Sequence, residues 1–459
     1  MTSGVWEQRV RSQLDQVVDE GRWREPREFD ARGPAGTLGG VGGGAGGGGV
    51  VSFASNDYLG LSSHPAVVAA GVAALERWGA GSGASRLVTG SRPVHTELEN
   101  ALAEWKGTDG AVCFPTGFAA NLGVLSVLGG PDVRVLSDEL NHASIIDGCR
   151  LSRSQLSIYR HGDVAHLEEL LAGGGRGAAA APTIVVTDSV FSMDGDAAPV
   201  EEIAALCRHY GALLILDEAH AVLTPPPTFA GPVAGDEFGV VRVGTLSKTL
   251  GSLGGFVAAS QGVIDLLVNR SRPYIFSTAL TPADTAAALA ALRVVRSAEG
   301  EMLVDRLRGL VARVVEVAGV AGAVGAVGAV GAVGAVGAVG AVGVGFGPKG
   351  YPSPIIPVIV GSEQRALEAS AALLARGLWV PAIRPPTVPV GTSRLRVTLS
   401  AAHTDAQVDA LIDALKPLCA AAVPANAVSA AAPAAAAPAA AAPAAAAVSA
   451  AAPAAAANR

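Results

Sequence analysis

The sequence predicts an α/β protein with a mainly parallel sheet and a second, smaller α/β unit near its C-terminal end. Three observations lead to this fold class. Short apolar runs alternate with stretches whose apolar residues recur at helical spacing. The runs are apolar throughout rather than at every second residue, which is typical of strands covered on both faces. A shorter series of strand and helix patterns begins near residue 355.

The larger unit is predicted from short apolar runs that alternate with helical stretches along most of its length. The apolar runs predict strands over residues 111–114, 133–137, 183–187, 212–216 and 240–246. The periodic stretches predict helices over residues 65–78, 93–106, 117–128, 164–171 and 200–210. Helices between successive strands are the crossovers that parallel strands need.

The regions before and after the larger unit have their own patterns. Residues 5–20 predict a short amphipathic helix, and the Gly-rich segment 33–49 predicts a flexible connection, because ordered glycine loses much conformational freedom. Residues 281–318 predict one long helical stretch that links the two units. The smaller unit is predicted as strands over 355–360, 378–383 and 394–399 and helices over 363–376 and 404–417.

Two tracts of biased composition complete the domain plan. Gly-Ala-Val triplets recur within residues 319–347, and a period of three fits neither helix nor strand, so an insertion is predicted. Ala and Pro dominate residues 420–459, which predicts a disordered tail. We therefore expect an N-terminal segment (1–60), a large domain (61–285), a small domain (286–419) and this tail (420–459).

Charge and cysteine content exclude several classes of protein. The 33 basic and 40 acidic residues give a net charge of −7 without a block of either sign, which argues against nucleic-acid binding driven by bulk charge. The four cysteines lie far apart and form no CxxC motif, so neither a disulfide framework nor a metal site is expected. The N-terminus lacks the apolar core of a signal peptide, and no stretch predicts a membrane span. We expect a cytoplasmic protein.

The string LLILDEAH, residues 213–220, places Asp217 at the end of a buried strand and His220 three residues later. Ligands of open α/β sheets bind beyond the carboxyl ends of strands. A carboxylate in that position needs a cation or hydrogen-bond donors to offset its desolvation. Taken alone, the same pattern also fits the N-cap of a helix.

Lys248 lies in the string VRVGTLSKTLGSLGG, in a turn that follows a strand ending at Thr245. Burial against such a turn lowers the pKa of a lysine, and the neutral amine can then form a Schiff base. A nucleotide-binding P-loop is excluded, because that motif has Gly directly before its Lys and Ser247 stands there instead.

Two further segments add a phosphate site and an aromatic group. Gly117 and Phe118 open a helix after a predicted strand, where free N–H groups and the helix dipole favour a phosphate. His142 follows another predicted strand. An amine, a carboxylate, a phosphate site and a flat ring together match the requirements of pyridoxal 5′-phosphate (PLP).

Longer strings resemble the α-oxoamine synthases, which are fold-type-I PLP-dependent transferases. The matching strings are SNDYLG, GSGASRLVTGSRPVHTELENALAEW, TGFAAN, NHASIIDG, VFSMDGDAAPV, LDEAH, TLSKTLGS and IRPPTVPVGTSRLRVTLSAAHT. They extend from about residue 50 to 418, apart from the insertion. The resemblance implies a large domain with a mainly parallel sheet, a smaller C-terminal α/β domain and a homodimer.

The resemblance also implies roles around the cofactor ring. Lys248 would bind the cofactor aldehyde, and Asp217 would pair with the pyridine nitrogen. His220 would hydrogen-bond the ring hydroxyl, helped by Ser192. These assignments make Lys248, Asp217 and His220 the expected catalytic residues, together with the stacking residue His142.

The same resemblance assigns the ring faces and the phosphate. His142 would stack on one face of the ring, and Ala219 would pack on the other. The backbone of Gly117 and Phe118, with Thr245, would hold the phosphate.

Four residues are expected to contact substrate by resemblance: Arg24, His142, Thr387 and Arg396. Arg394 and Arg396 lie two apart on a predicted strand and so face the same way. Their spacing does not choose between them, but the resemblance favours Arg396 as the clamp for an amino-acid carboxylate. A bidentate guanidinium suits that role. Arg394 is then expected to be an ordinary solvated charge.

The string over residues 383–404 is most similar to the family member of biotin synthesis, which implies L-alanine and a pimeloyl thioester as substrates. The acyl carrier, coenzyme A or acyl carrier protein, stays open. A glycine-using C-acetyltransferase and a non-catalytic partner protein with the same fold are the alternatives. The Gly-rich HGxG turn of the family is replaced here by HAVLTPPP, so the loop 221–231 is expected to follow another path.

Overall fold

The computed structural model describes residues 3–39, 48–174, 181–223, 239–320 and 353–420. The predicted insertion lies outside the described residues from residue 321 onward, as does the predicted tail from residue 421 onward. Most of the loop 221–231 also lies outside them, beginning at residue 224. Within the described part of the chain, no helix has the length and apolar character that crossing a membrane requires.

The N-terminal segment forms one helix and three short strands: α1 (Ser3–Asp19), β1 (Phe29–Ala31), β2 (Ala35–Leu38) and β3 (Gly48–Ser52). The prediction of a flexible connection over 33–49 is wrong for β2 and for the start of β3, which pair as an antiparallel ladder. The prediction used composition alone. In the structure, the hydrogen bonds of the β2–β3 ladder and the burial of the Leu38 side chain offset the conformational entropy that the glycines lose. Residues 40–47 lie outside the described residues.

A seven-stranded sheet forms the centre of the molecule. Its strands are β4 (Gly110–Phe114), β5 (Arg134–Asp138), β6 (Gln155–Tyr159), β7 (Thr183–Asp188), β8 (Leu213–Asp217), β9 (Val240–Thr245) and β10 (Gly255–Ala259). They lie in the order β4-β10-β9-β8-β7-β5-β6. β10 runs antiparallel to both of its neighbours, and the other strands are parallel. The mainly parallel sheet is confirmed; β6 and β10 were not among the predicted strands.

Helices cover both faces of this sheet: α2 (Pro65–Trp78), α3 (Pro93–Lys106), α4 (Gly117–Leu128), α5 (Ala143–Ser152), α6 (Val164–Ala172), α7 (Val200–Tyr210), α8 (Gln261–Arg270) and α9 (Arg272–Ile275). Separate apolar clusters fill the two faces, as the continuously apolar strands predict. The predicted helix bounds hold to within one residue because strong signals mark the ends. Pro occupies the first turn of α2 and α3, and Gly follows the last residue of α4 and α7.

The helical stretch predicted over 281–318 is two helices, α10 (Pro282–Val295) and α11 (Ala298–Val320). The chain breaks at Arg296–Ser297, where the Ser297 hydroxyl donates to the Val294 carbonyl at 2.7 Å. Gly300 closes the corner, since a Cβ there would lie 2.4 Å from the Val294 carbonyl oxygen. α10 packs on α2 and α3. We therefore propose that the boundary expected at residue 285, which falls inside α10, lies instead at this break.

The C-terminal unit consists of β11 (Ile355–Gly361), α12 (Glu363–Ala375), β12 (Leu378–Trp379), β13 (Ala382–Ile383), β14 (Ser393–Thr398) and α13 (Asp405–Ala420). The strand predicted over 378–383 is split between two sheets. β12 pairs with β3, whereas β13 joins β14 in a three-stranded sheet ordered β11-β14-β13. Pro381 lies between the halves and has no N–H for either ladder. This arrangement places β14 and its arginines next to the turn that follows β7.

Candidate active site

A cavity of about 190 Å³ lies at the carboxyl ends of β8 and β9, beside the first turn of α4. The side of a parallel sheet where strands end is where ligands bind in such folds. Eight residues that the sequence predicts for the cofactor line it: Gly117, Phe118, His142, Asp217, Ala219, His220, Thr245 and Lys248. The structure thus brings together groups that are up to 131 positions apart in the chain, from Gly117 to Lys248.

Asp217 ends β8 with its side chain buried. Its Oδ2 accepts a hydrogen bond from the Asn121 side-chain amide at 2.7 Å, and its Oδ1 accepts one from the Ala219 N–H at 2.9 Å. These donors meet the desolvation requirement. Asn121 comes from α4 and was not predicted; TGFAAN, which contains it, was the available signal. The two hydrogen bonds, from Asn121 and from Ala219, fix the direction of the Asp217 carboxylate.

Lys248 lies in the turn after β9, and its Nζ is 2.8 Å from Nε2 of His220. Burial lowers the pKa of the Lys248 ammonium; the charge of Arg396 also lowers it, whereas Asp217 and Asp188 act in the opposite direction. The turn is tight: Gly251 has φ +58°, and a Cβ there would lie 2.2 Å from the Ser62 nitrogen. The glycine therefore lets the lysine turn pack against the start of the larger unit.

His220 is buried between Lys248 and Tyr58. Its Nδ1 lies 2.5 Å from the Tyr58 hydroxyl. Burial lowers the pKa of His220 well below its ordinary value, and the nearby charges of Lys248 and Arg396 lower it further. The imidazole is therefore neutral near pH 7 and presents one donor and one acceptor nitrogen. Tyr58 was not predicted as a site residue, although it lies in the matching string SNDYLG.

Asp188 is a second carboxyl group in the cavity wall that sequence reasoning missed. It ends β7 directly beside Asp217 in the strand register. Its Oδ2 accepts a hydrogen bond from the backbone N–H of His142 at 2.8 Å. Burial raises the pKa of Asp188 well above its ordinary value, and the Asp217 charge adds to the rise. His142 also caps α5, where its Nδ1 lies 2.7 Å from the Ser144 hydroxyl. Asp188 thus anchors the His142 backbone, and Ser144 anchors its imidazole at the cavity.

The first turn of α4 meets β9 at Thr245. A Cβ on Gly117 would lie 3.4 Å from the Thr245 Cβ, which is an ordinary van der Waals distance, so the helix start and the strand end lie side by side. Thr116 caps the helix by accepting the Ala119 N–H at 3.0 Å. Helix N-termini of this kind favour anions.

Arg396 is buried on β14 and makes three hydrogen bonds: Nε to the Ser192 carbonyl at 2.6 Å, Nη1 to the Thr398 hydroxyl at 3.0 Å and Nη2 to the Asn56 side-chain oxygen at 3.1 Å. Ser192 therefore meets Arg396 through its backbone, and it is not among the residues that line the cavity. Asn56, a further residue that was not predicted, also accepts from the Tyr58 hydroxyl at 3.2 Å. The network thus connects Arg396 with His220 and Lys248.

The expectation that Arg394 is a solvated charge is wrong. Its residue is only 4% exposed, and its guanidinium forms an ion pair with Asp194 and donates to the Thr392 carbonyl at 3.0 Å. The two arginines share one face of β14, but the turn after β7 covers both. A strand pattern shows which residues share a face and not what packs upon it.

Of the four expected substrate residues, only His142 lines the cavity. Arg396 is connected to it through Asn56, Tyr58 and His220, whereas Arg24 and Thr387 are not brought there. Arg24 is exposed in the segment after α1, and Thr387 is exposed in the loop after β13. Arg384 ties these regions together, since its Nη1 donates to the Gly21 carbonyl at 2.7 Å. Their assignment as substrate contacts stays a prediction.

Comparison with known proteins shows the family to which this chain belongs. The family model of aminotransferase class I and II matches residues 48–415. The fold agrees with a solved variant of the serine palmitoyltransferase of S. paucimobilis with a bound PLP–myriocin aldimine. That structure has a TM-score of 0.74 and 29% identity, and the match covers 89% of this chain and 96% of that one.

Curated relatives narrow the assignment. The 8-amino-7-oxononanoate synthase of Anaeromyxobacter dehalogenans (strain 2CP-1) is 47% identical over 401 residues, which cover 86% of this chain and 91% of that protein. The 8-amino-7-oxononanoate synthase of Acidithiobacillus ferrooxidans (strain ATCC 53993) is 42% identical over 419 residues, which cover 89% and 98%. The chain therefore belongs to the aminotransferase class I and II family and, within it, to the 8-amino-7-oxononanoate synthases. The expected fold-type-I architecture, acyltransferase class and PLP dependence are confirmed at the level of the family.

The residues present fit PLP. The buried side-chain oxygen of Asn121 has no hydrogen-bond partner within the described chain, and it lies beside Asp217 at the cavity. A lysine of lowered pKa, a buried carboxylate and a helix N-terminus supply the amine, the acid and the anion site that this cofactor needs.

Proposed function

We propose that this chain catalyses the decarboxylative condensation of L-alanine with a pimeloyl thioester, giving 8-amino-7-oxononanoate, carbon dioxide and free thiol. The observation that carries the proposal is the placement of the Lys248 amine, the Asp217 carboxylate and the His142 ring around one cavity. The chain's membership of the 8-amino-7-oxononanoate synthases supports this choice of substrates.

The bound cofactor supplies an aldehyde for the amino group and a ring that accepts the electron pair left at Cα. Asp217, held by Asn121 and Ala219, would pair with the ring nitrogen and stabilise a proton there, which would strengthen the pull of the ring on those electrons. Once the substrate amine has replaced Lys248 at the cofactor aldehyde, the Lys248 Nζ would be free and, when neutral, would remove the Cα proton. The lowered pKa of Lys248 supports this role, because a general base must be unprotonated at the working pH.

His220 and Tyr58 orient the lysine. A neutral imidazole whose Nδ1 contacts the Tyr58 hydroxyl leaves Nε2 directed at Nζ of Lys248. The three groups share hydrogen bonds in a buried place, where such contacts are stronger than in water. They can therefore hold Nζ in position while it gains and loses a proton.

Arg396 binds the carboxylate of L-alanine in this proposal. A guanidinium has five N–H donors, and three hydrogen bonds to Ser192, Thr398 and Asn56 leave donors for a substrate. Because these bonds fix the plane of the guanidinium, less rotamer freedom remains to be lost on binding. After acylation and release of the thiol, the β-keto acid would lose its carboxylate as carbon dioxide, and a proton would take its place on the same carbon.

We also propose that the enzyme is a cytoplasmic homodimer. Phe118 lines the cavity and keeps 42% of its surface exposed, and the apolar side chains of Leu253 and Phe276 are also exposed. A second copy of the chain could cover such surface. The free thiols of Cys113, Cys149 and Cys207 support a reducing compartment.

The product identifies the substrates. The PLP-loaded protein is incubated with L-alanine or glycine and with pimeloyl-CoA, pimeloyl-acyl carrier protein or acetyl-CoA, and the products are measured by mass. The proposal expects 8-amino-7-oxononanoate from L-alanine and a pimeloyl thioester. A product from glycine and acetyl-CoA alone would indicate a C-acetyltransferase, and no product from any pair would indicate a non-catalytic protein.

A further inference from the structure

His161 joins two carboxylates outside the cavity. Its Nδ1 lies 2.9 Å from Asp138 Oδ1, and its Nε2 lies 2.8 Å from Asp196 Oδ2. Since both ring nitrogens face acceptors, both must carry a proton for the two hydrogen bonds to form. Burial lowers the pKa of His161, but the hydrogen bonds with Asp138 and Asp196 outweigh it and raise the pKa to about 10. The Phe191 ring packs edge-on against the imidazole at 4.3 Å between centroids.

One end of this bridge holds the strand that leads to His142. Asp138 is the last residue of β5, and its buried carboxylate also accepts the N–H groups of Leu140 and Gly162, each at 2.9 Å. His142 follows four residues later. The position of His161 therefore fixes the start of the short loop that presents His142 to the cavity.

The other end holds the turn that receives both arginines of β14. The turn is closed by the Phe191 N–H, which donates to the Asp196 carbonyl at 2.9 Å. Inside it, the Ser192 carbonyl accepts from Arg396, and Asp194 pairs with Arg394. A shift of Asp196 would therefore move the contacts that set the Arg396 guanidinium.

We propose that His161 is a positioning residue for the amino-acid substrate: its imidazolium ties the turn 191–196 to the end of β5, and so places Arg396 and His142 relative to each other. This inference rests on the proposed function, in which Arg396 binds the substrate carboxylate. His161 touches neither substrate nor cofactor in this role, because it acts through the turn and the loop on either side of it.

The substitution His161→Gln tests the bridge. A glutamine amide can donate to one carboxylate, but its oxygen faces the other, so one end of the bridge is released. His166→Gln is the matched control, because within the described residues the His166 ring makes one hydrogen bond, in which its Nδ1 accepts the Arg160 N–H at 3.0 Å. Asp196→Asn is the second variant, since it keeps an acceptor for His161 and removes the charge.

Affinity for L-alanine is measured by titrating the PLP-loaded protein and following the cofactor absorbance; KM is measured for L-alanine and for the pimeloyl thioester. We expect His161→Gln to weaken L-alanine binding at least tenfold and Asp196→Asn at least threefold. The thioester KM and the absorbance of the resting enzyme should change less than twofold, and His166→Gln should match the wild type.

Unchanged L-alanine affinity in PLP-loaded His161→Gln would overturn the inference, and so would an equal loss for both substrates. If His161→Gln does not fold, unchanged affinity in Asp196→Asn overturns it instead. A wild-type protein whose absorbance does not respond to L-alanine would contradict the proposed function itself, which is a different outcome.

Discussion

At the scale of single residues, the site depends on charges that are buried with selected partners. Asp217 is held by two neutral donors, the Asn121 amide and the Ala219 N–H, so its negative charge is not neutralised by a salt bridge within the described residues. Such a carboxylate remains available to stabilise a proton on a ring nitrogen. Asp188 is next to it and has a raised pKa, so the protonated form of Asp188 relieves the repulsion between the two acids.

Asp217→Asn tests this electrostatic role. The amide keeps the shape but loses the charge, so we expect kcat to fall at least about 100-fold, which equals about 2.7 kcal/mol of transition-state stabilisation. The thermal midpoint should change little by comparison. Asp163→Asn is the control, since Asp163 caps α6 and asparagine also caps well. Equal losses of activity in both variants, or full activity in Asp217→Asn, would contradict the role.

Residue contacts across long distances in the chain are the part of the site that the sequence could not predict. Four site residues were predictable because each lies at the end of a strand or the start of a helix, which local patterns indicate: Gly117, His142, Asp217 and Lys248. Tyr58 meets His220 across 162 positions, and Asn56 meets Arg396 across 340. Nothing local marks such a pair, because the contact depends on the packing of two distant segments. The matching string SNDYLG showed that the segment mattered but not what it touches.

At the scale of elements, the helix ends were predictable and the strand partners were not. Pro and Gly at the ends of helices are local signals, and the bounds of α2, α3, α4 and α7 agree with the prediction. The split of 378–383 between two sheets depends instead on β3 and β14, which lie elsewhere in the chain. The break between α10 and α11 has a weak signal, since Arg296 and Ser297 are tolerated within helices.

Gly300 and Gly309 form a matched pair for the α10–α11 corner. Both lie in α11, but a Cβ on Gly300 would clash with the Val294 carbonyl oxygen at 2.4 Å. A Cβ on Gly309 would have no heavy atom of another described element within 4 Å. We expect Gly300→Ala to lower the free energy of unfolding by more than about 1 kcal/mol, and Gly309→Ala to raise it by about 0.5–1 kcal/mol. Urea unfolding measures both. Stabilisation by Gly300→Ala would show that the corner is not closely packed.

At the scale of the whole molecule, the fold places the site where three parts of the chain meet. The large sheet contributes Asp217 and Lys248, the segment before α2 contributes Tyr58, and β14 of the C-terminal unit contributes Arg396. The order of elements predicted the sheet and the small unit. It did not predict that Arg394 and Arg396 would be covered by the turn after β7, since that depends on how the two units pack.

The pH dependence of stability follows from His161. Its folded pKa is raised from 6.5 to about 10, so its contribution to stability is fully present below about pH 6.5 and is lost as the pH rises through 10. The slope for one proton is at most about 1.4 kcal/mol per pH unit. We expect the free energy of unfolding to fall between pH 7 and 10, and to fall less steeply in His161→Gln. Parallel curves for the two proteins would show that His161 is not the group responsible.

The chain has four lysines, which makes the central assignment directly measurable: Lys106, Lys248, Lys349 and Lys416. Lys106 is engaged with Glu218 at 2.7 Å, and Lys416 is exposed on α13 and pairs with Asp413. The measurement is borohydride reduction of the PLP-loaded protein, followed by digestion and mass analysis of the four lysine peptides. Our account predicts the cofactor mass on the Lys248 peptide and its loss in Lys248→Ala. Labelling of another lysine at full occupancy, or of none, would contradict it.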